Sequence, residues 1–388
     1  TILIGDGAIG TQLQALSEHP IFLPESLILE KTGLDLTRKI HISYIEAGSN
    51  IIETNTFAAN PLKLAYWGLQ DKCELINETA VKIAKKACEG TKVLVAGSIG
   101  PIDLGLALKD TPIKTIEQAF ATQISVLYQS GVDLLLFETF SSIEETKIAL
   151  SQTENVDIPI LFSIGGQGLS KTYAKKRVSD LVELALHFPL TAIGINCMSP
   201  YDISQILDDF LKSNPLPFFL YPNAGTPTVT RGKVQYNLPT TVLLNEAQNW
   251  VSQGAALLGG CCGTTSEHIL ALSQAFGKKP IIQRHIKKRA EKLVIQISES
   301  KEIKTEQNEV REENIIRKLL ATEQKPIIAV EIKPSLNEPL KELAKKVKVL
   351  ADSGVNLFDV PDNAGANPAK DCVACAHILQ EICAVPTT

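Results

Sequence analysis

Two adjacent cysteines stand in a glycine-rich segment, Gly259-Gly260-Cys261-Cys262-Gly263-Thr264-Thr265. Neighbouring cysteines cannot form an unstrained disulfide with each other, but both thiolates can face one metal ion. A third cysteine, Cys197, directly follows another short apolar run. Three thiolates without an obvious fourth protein ligand describe a zinc site with an open position, which is typical of catalytic zinc. The alternative is that all three are ordinary buried cysteines, which pack as small hydrophobic residues; the glycines beside the doublet favour the metal.

The elements that must position these cysteines are visible as short apolar runs along the first 260 residues, each followed by a loop and a helical pattern. There are eight runs: Ile2–Ile4, Ile51–Glu53, Val93–Ala96, Leu134–Phe137, Ile160–Ile164, Ala192–Ile195, Phe218–Tyr221 and Ala255–Leu258. Helical periodicity lies between them, for example over residues 39–47, 75–88, 116–129 and 242–252. Eight alternating units predict an α/β fold in which a parallel sheet closes into a (β/α)8 TIM barrel.

Polar residues follow these runs closely, and two of them are acids. Asp6 and Glu138 each come at the end of a predicted strand, as do Cys197 and the Cys261–Cys262 pair. The carboxyl ends of barrel strands surround one mouth, where the chemistry of such barrels is found. We therefore expect these distant residues to meet there. Taken singly, each acid could instead be a helix N-cap or a solvated surface carboxylate.

Composition excludes several classes of protein. The chain has 388 residues, 44% hydrophobic and 21% charged, with a formal net charge of −5. This charge predicts no nucleic-acid partner, and no apolar run is long enough to span a membrane. Eight cysteines in a chain of this length are not a disulfide framework, so we expect a reducing, cytoplasmic compartment. The start lacks the features of a signal peptide, and both ends suggest a segment of a longer chain.

Six motifs resemble those of the zinc-dependent homocysteine S-methyltransferases, in the same order along the chain. They are Asp6-Gly7-Ala8-Ile9-Gly10-Thr11, Glu53-Thr54-Asn55-Thr56-Phe57, Phe137-Glu138-Thr139-Phe140, Gly194-Ile195-Asn196-Cys197, Pro222-Asn223-Ala224-Gly225 and Gly259 to Thr265. The resemblance covers residues 1 to about 280. It implies transfer of a methyl group to homocysteine to form methionine.

The resemblance also implies roles for individual residues. Cys197, Cys261 and Cys262 would bind Zn²⁺, and Glu138 with Asp6 would face the substrate ammonium as the acidic residues of the catalytic site. The loop from Asp6 to Thr11 would hold the amino acid's carboxylate through backbone N–H groups. The substrate-binding residues would then be Asp6, Gly7, Ala8, Thr11, Glu138, Asn196 and Asn223, with Asn196 and Asn223 lining the pocket.

The chemistry is consistent with this resemblance. A free thiol has a pKa of about 8.5 and is mostly protonated at neutral pH, whereas zinc favours the thiolate. Three protein thiolates give the metal an electron-rich shell, so a substrate sulfur held there stays nucleophilic. No separate general base is then needed, and the carboxylates serve to place the substrate.

The methyl donor is left open by the sequence. A small molecule or a carrier protein would fit, and the candidates are methylcobalamin on a partner, a methylated folate, S-methylmethionine and betaine-type donors. The loop after Gly165 departs from the family's more neutral pattern, because it contains Lys171, Lys175, Lys176 and Arg177. This basic segment could contact an anionic donor or a partner domain, but a solvated charged surface is the simpler interpretation. The sequence does not assign an oligomeric state.

The last hundred residues change in character. Residues 281–325 are rich in Lys, Glu, Gln and Asn, which predicts a charged linker. Residues 326–388 restart the strand–helix pattern and resemble the opening of a methylenetetrahydrofolate reductase barrel, as found fused behind a homocysteine methyltransferase barrel in some bacterial proteins. Glu331 matches the reductase acid that protonates the folate nitrogen, and FAD is implied only for a complete reductase domain. The spacing of Cys372 and Cys375 is that of a redox or metal motif, although a shared buried helix face is the simpler interpretation.

The sequence therefore predicts three parts: a zinc methyltransferase barrel over 1–280, a linker over 281–325 and a reductase-like fragment over 326–388. Two alternatives remain from the sequence. The barrel could methylate another thiol, or it could be a scaffold whose metal has no catalytic part.

Overall fold

The fold was analysed in a computed structural model of the chain. The structure describes residues 1–17, 21–102, 111–165, 171–230, 233–282, 329–331, 340–353 and 357–359. Most of the predicted linker lies outside these ranges, as do Cys372 and Cys375 of the predicted reductase-like fragment.

Eight parallel strands form one sheet in the order β1-β10-β7-β6-β5-β4-β3-β2. They are β1 (Leu3–Ile4), β2 (Ile51–Glu53), β3 (Leu94–Ile99), β4 (Leu134–Phe140), β5 (Ile160–Gly165), β6 (Ala192–Asn196), β7 (Phe218–Tyr221) and β10 (Leu257–Leu258). The two remaining strands of this region, β8 (Thr228–Thr230) and β9 (Lys233–Gln235), pair with each other. Each of the eight predicted runs overlaps one strand of this sheet, so the TIM-barrel prediction is confirmed.

The first and last strands of the sheet are joined through Asn50, the residue before β2. Its backbone N–H donates to Ile4 O at 2.6 Å, and its side-chain Oδ1 accepts from Ile4 N at 2.8 Å. A sheet whose edges meet in this way leaves few free backbone groups. The near-closed barrel therefore depends locally on one asparagine that bonds through both its backbone and its side chain.

Helices follow the strands around the barrel. They are α1 (Gly10–Leu16), α2 (Lys31–Glu46), α3 (Pro61–Ala65), α4 (Cys73–Cys88), α5 (Ile113–Gln129), α6 (Ile143–Ser151), α7 (Lys171–Ala185), α8 (Pro200–Ser213), α9 (Thr240–Ser252) and α10 (Ser266–Phe276), with 3-10 turns at Pro24–Leu29 and Gln70–Lys72. The four periodic segments each lie within a helix, apart from one terminal residue of the first. The basic segment expected as a loop instead begins α7 at Lys171, because the apolar residues that follow it continue one helical pattern.

Alternation along the strands divides the core into two layers of packing. Ile51, Leu134, Leu136, Leu161 and Phe219 belong to one buried cluster, whereas their sequence neighbours pack in the larger cluster shared with the helices. Successive strand residues point to opposite faces of a sheet, so the first cluster fills the barrel interior. Continuing the same alternation towards the carboxyl ends predicts the residues that face inward beneath the mouth.

A separate strand–helix–strand unit lies near the end of the chain. It consists of β11 (Ala329–Glu331), α11 (Leu340–Asp352) and β12 (Leu357–Asp359). The two strands pair in parallel, with Glu331 opposite Asp359. The described residues contain two strands of the predicted second barrel, and that barrel stays a prediction. No helix in the described parts of the chain has the length and apolar character needed to cross a membrane.

Replacing Asn50 tests the closure of the barrel. Asn50→Ala removes the side-chain acceptor of Ile4 N–H, and an unsatisfied donor costs about 1–3 kcal/mol. Because Asn50 is exposed and water can replace it in part, we expect a loss of about 1 kcal/mol in the free energy of unfolding, measured by urea denaturation. Asn249→Ala, at an exposed position of α9, is the control, and equal stability of the two variants would contradict this role.

Candidate functional site: a cysteine cluster above a buried polar layer

The three predicted cysteines meet at the carboxyl ends of the strands. The sulfur atoms of Cys197, Cys261 and Cys262 all lie within 4.8 Å of one another, and the Sγ atoms of Cys197 and Cys262 are 3.8 Å apart. In the part of the chain that the structure describes, this is the one group of cysteines, histidines and acids that could hold a metal ion. Residues separated by 64 positions in sequence are therefore brought to one point by the barrel.

Local backbone geometry aims these sulfurs. Cys197 follows β6 with a φ of 56°, a left-handed conformation that non-glycine residues seldom adopt. Its N–H donates to Tyr221 O at 3.1 Å, and Cys261 N–H donates to Pro222 O at 2.7 Å. Such strain persists only where the surrounding structure enforces it, and it is concentrated at functional sites.

Hydrogen bonds among the thiols set their protonation in the metal-free protein. Bonds from Cys197 and Cys261, together with one from Tyr236, lower the pKa of Cys262 to about 3. The pKa of Cys261 is raised well above its ordinary value by its hydrogen bonds to Cys197 and Cys262. The neighbours of Cys262 therefore favour its thiolate, which is the form of cysteine that binds metals.

A polar layer lies in the barrel interior directly below the cysteines. The layer consists of the residues that face the barrel interior at the carboxyl ends of six strands, because side chains alternate between the two faces of a strand. They are Glu53, Ser98, Glu138, Ser163, Asn196 and Tyr221. Tyr221 fills the space beside two glycines, since a Cβ on Gly5 would lie 2.0 Å from its hydroxyl oxygen and a Cβ on Gly259 would lie 2.6 Å from its ring. The glycines thus make room for a large aromatic side chain that closes the pocket below.

Asn196 connects this layer to the cysteines. Its Nδ2 donates to Glu138 Oε2 at 3.3 Å and lies 4.0 Å from Cys261 Sγ. Its Oδ1 accepts from Thr139 N at 2.9 Å and from Ser163 Oγ at 3.0 Å. The sequence placed Asn196 in the pocket without a defined role, and the structure shows that it links the carboxylate to the thiol cluster.

Glu138 lies in an irregular part of β4, where the register with β5 shifts between Phe137 and Phe140. Bulges of this kind re-aim side chains beside active sites. Glu138 is 7% exposed, and its Oε1 accepts from Ser98 Oγ. Burial raises its pKa to about 7, so the group can change its charge near neutral pH.

Asp6 is fully buried beside the same layer. Its Oδ2 accepts from Glu53 N at 2.9 Å, and burial, reinforced by the charge of Glu138, raises its pKa to about 8. Asp6 and Glu138, which the sequence expects to meet, lie close enough for the charge of Glu138 to raise the pKa of Asp6.

The loop expected to hold a carboxylate is tied to the cysteine segment. Ala8 N–H donates to Thr264 Oγ1 at 3.1 Å, and Thr11 Oγ1 accepts from Gly263 N at 3.0 Å. A Cβ on Gly7 would lie 2.9 Å from both Thr264 Oγ1 and the hydroxyl oxygen of Tyr44. Ala8 N–H therefore already donates a hydrogen bond within the protein. The carboxylate binding expected of this loop would depend on its other N–H groups.

Asn223 is buried near the cysteines, with its N–H donating to Met198 O at 2.8 Å. Its side-chain Oδ1 is buried and has no hydrogen-bond partner among the described residues. A buried acceptor without a partner is costly, so this atom is available to a ligand.

Sequence reasoning missed two residues of the site. Glu53 was seen only as part of a motif, although its position two residues after the inward Ile51 gave a signal that it faces the interior. Tyr236 follows β9, and its ring packs so closely on Gly263 that a Cβ there would lie 2.2 Å from it. Nothing in the spacing of the sequence indicates that Tyr236 reaches Cys262.

Fold and site define a (β/α)8-barrel protein with three converging cysteines above buried carboxyl groups at its mouth. The chain belongs to the homocysteine S-methyltransferase family, whose sequence model matches residues 3–276.

Known relatives agree with this assignment over the barrel. The methionine synthase of Mycobacterium leprae (strain TN) is 27% identical over 307 residues, which cover 74% of this chain and 26% of the relative. That of Mycobacterium tuberculosis (strain ATCC 25618 / H37Rv) is 27% identical over 291 residues, covering 71% and 24%. The chain thus spans about a quarter of the length of these curated relatives.

Solved structures give the same result. The Escherichia coli homocysteine methyltransferase MmuM in its metallated form superimposes with a TM-score of 0.58 at 26% identity, covering 70% of this chain and 96% of that one. Its apo form gives a TM-score of 0.54 at 26% identity, covering 71% and 95%. The likeness therefore includes almost the whole chain of that protein.

The raised pKa of Asp6 predicts how stability depends on pH. In the unfolded chain this group ionises near its ordinary pKa of about 3.9, whereas in the folded protein it stays protonated up to about 8. The unfolded state therefore binds fewer protons between these values, and stability falls as pH rises through that window. In Asp6→Asn this loss should be smaller, as measured by urea denaturation of the metal-free protein from pH 4 to pH 8.

Asp180→Asn, on α7 away from the mouth, serves as the control. Parallel stability curves for the wild type and Asp6→Asn would show that Asp6 ionises in the folded state without penalty.

Proposed function

We propose that the barrel transfers a methyl group to the sulfur of L-homocysteine, forming methionine, with a zinc ion held by Cys197, Cys261 and Cys262. The observation that carries this proposal is the convergence of the three sulfurs directly above the buried acids Asp6 and Glu138. Family membership supports the same reaction, since the relatives are named methionine synthase and homocysteine methyltransferase.

The cysteine cluster fits zinc. Zinc–sulfur bonds are about 2.3 Å, so two sulfurs of a tetrahedral site lie about 3.8 Å apart. The distance between Cys197 Sγ and Cys262 Sγ is 3.8 Å. Among the described residues the cluster consists of three cysteines without a fourth cysteine or histidine, which matches a site with an open position. When bound, zinc supplies a Lewis acid that keeps a substrate sulfur ionised at neutral pH.

The chain's own residues place the substrate. Its ammonium group faces Asp6 and Glu138, whose carboxyl groups lose their protons when a cation approaches. Ser98 and Asn196 hold Glu138 in position from either side. Asn196 also approaches Cys261, so its side chain connects the carboxylate that would bind the amine to the cysteine cluster that would bind the sulfur. One small molecule can therefore be held at both ends. Orientation of this kind is worth up to about 7–11 kcal/mol in a two-reactant step.

The bond changes are simple. A sulfur lone pair attacks the methyl carbon, a carbon–sulfur bond forms, and the bond from methyl to its carrier breaks with its electron pair remaining on the carrier. Tyr221 and the buried layer close the pocket from below, so the donor must enter from the mouth. The carrier of the methyl group, and any role of the basic first turns of α7 in binding it, stay open.

X-ray absorption at the zinc edge, with and without homocysteine, tests this function. We expect a first shell of three sulfurs and one lighter atom to become one of four sulfurs when homocysteine is added. If the first shell does not change when homocysteine is added, the metal is structural and the barrel is better explained as a scaffold. If free cysteine changes the shell as much as homocysteine does, a different thiol substrate is favoured.

Cys262→Ser should lose zinc and methyl transfer in the same samples while keeping the helical circular dichroism signal, because the ligand lies at the mouth and not in the core. Cys88→Ser, at the end of α4 and outside the cluster, is the matched control and should retain zinc.

We also propose that the complete protein continues into a flavin-dependent methylenetetrahydrofolate reductase domain. The parallel pairing of β11 and β12 around α11 supports this, because a strand–helix–strand unit is how such a barrel begins. Glu331 lies at the carboxyl end of β11, and the carboxyl ends of the strands are where such barrels carry their catalytic residues.

The full-length protein should therefore contain FAD and reduce methylenetetrahydrofolate. Glu331→Gln in that protein should keep the flavin, seen in its visible absorbance, and lose folate reduction, because the acid that protonates the folate nitrogen is gone. Absence of flavin from the full-length protein would refute the reductase assignment.

A further inference from the structure

Two buried carboxylate oxygens below the mouth have no hydrogen-bond partner among the described residues: Asp6 Oδ1 and Glu53 Oε1. Asp6 is 0% exposed, and its other oxygen already accepts from Glu53 N–H. The two acids stand at the ends of β1 and β2, the strands that meet where the barrel closes. Leaving a buried acceptor unpaired is costly, and two of them side by side indicate that a ligand completes this part of the pocket.

Glu53 faces the barrel interior. It lies two residues after Ile51, which packs in the interior cluster, and residues two apart on a strand share a face. Burial, followed by the negative charges of Glu138 and Asp6, raises the pKa of Glu53 well above its ordinary value. The three acids are therefore close enough to repel one another, on three different strand ends.

The unsatisfied hydrogen-bonding capacity is not shared equally among the three acids. Glu138 accepts from Ser98 through one oxygen and from Asn196 through the other. Asp6 and Glu53 each keep one buried oxygen without a donor. The ligand group that would fit must carry several donors and a positive charge, since like-charged acids are stabilised by a cation. A primary ammonium, with three N–H groups, has these properties.

We infer that Glu53 is a substrate-binding residue that accepts a hydrogen bond from the substrate ammonium beside Asp6, and that this pair selects α-amino thiols over thiols without the amine. The inference rests on the proposed function. Glu138, at the end of β4, supplies a third acceptor, while its bonds to Ser98 and Asn196 keep it in place. The selectivity arises because a thiol without the amine leaves two buried oxygens without a partner, whereas the amino acid satisfies both.

Binding of two thiols to the zinc-loaded protein tests the inference. L-Homocysteine and 4-mercaptobutanoate share the thiol, the chain length and the carboxylate, and differ only in the amine. In Glu53→Gln the Kd of homocysteine should rise about tenfold or more, since the ammonium exchanges a negatively charged acceptor for the weaker, neutral oxygen of an amide. The Kd of 4-mercaptobutanoate, taken from direct calorimetry or from competition with homocysteine, should change less than about twofold, and zinc content should stay the same.

Two further variants make the result specific. Glu46→Gln makes the same chemical change at the exposed end of α2 and should leave both Kd values unchanged. Glu53→Asp keeps the charge on a shorter side chain and should retain part of the preference for homocysteine, which a purely structural role of Glu53 would not produce.

Equal weakening of both thiols in Glu53→Gln, or no change in either, would overturn the inference and leave the proposed function intact. If wild-type zinc protein bound 4-mercaptobutanoate as tightly as homocysteine, the selectivity would be refuted. Failure of the wild type to bind homocysteine at all would instead refute the proposed function itself.

Discussion

The burial of like-charged groups in one layer of the barrel is the constraint on which the site depends. Asp6 and Glu138 are buried and Glu53 is half-buried with one buried oxygen, and the pKa of each is raised. Their desolvation makes the folded, ligand-free protein less stable at neutral pH than it would be with neutral residues. A cation that enters this layer removes the penalty, so the cost built into the fold becomes a source of binding free energy for an amine.

The same layer also holds Cys197 in position, through hydrogen bonds of the residue that precedes it. Asn196 forms hydrogen bonds with Thr139, Ser163 and Glu138, and the next residue is Cys197. The backbone is left-handed at Thr139, in β4, and at Cys197, just after β6, with φ values of 67° and 56°, and each of these residues directly follows an inward-facing polar side chain. The left-handed residues, the buried amide of Asn196 and the register shift in β4 together fix the distance between the Glu138 carboxyl group and the cysteine cluster.

The chain combines a complete methyltransferase-family barrel with residues of a different character. The barrel matches nearly all of the solved E. coli homocysteine methyltransferase but about a quarter of the mycobacterial methionine synthases. Under the proposed function, the barrel binds the thiol substrate and the methyl group is brought by a separate carrier. The strand–helix–strand unit of β11, α11 and β12 shows that folded α/β structure follows the barrel.

Much of this protein was determined by the sequence alone. Apolar runs such as Phe218–Tyr221 predict buried parallel strands because both faces of such strands are covered, and the placement of Asp6, Glu138 and the three cysteines at strand ends predicts that they converge. Tertiary structure decided the rest. That Asn196 joins acid to thiol, that Tyr236 reaches Cys262 and that Glu53 keeps an unpaired oxygen depend on distances across the barrel, which local patterns do not encode. The basic segment at Lys171 shows the same limit, because its place after a predicted strand suggested a loop while its continuity with apolar positions made it the start of a helix.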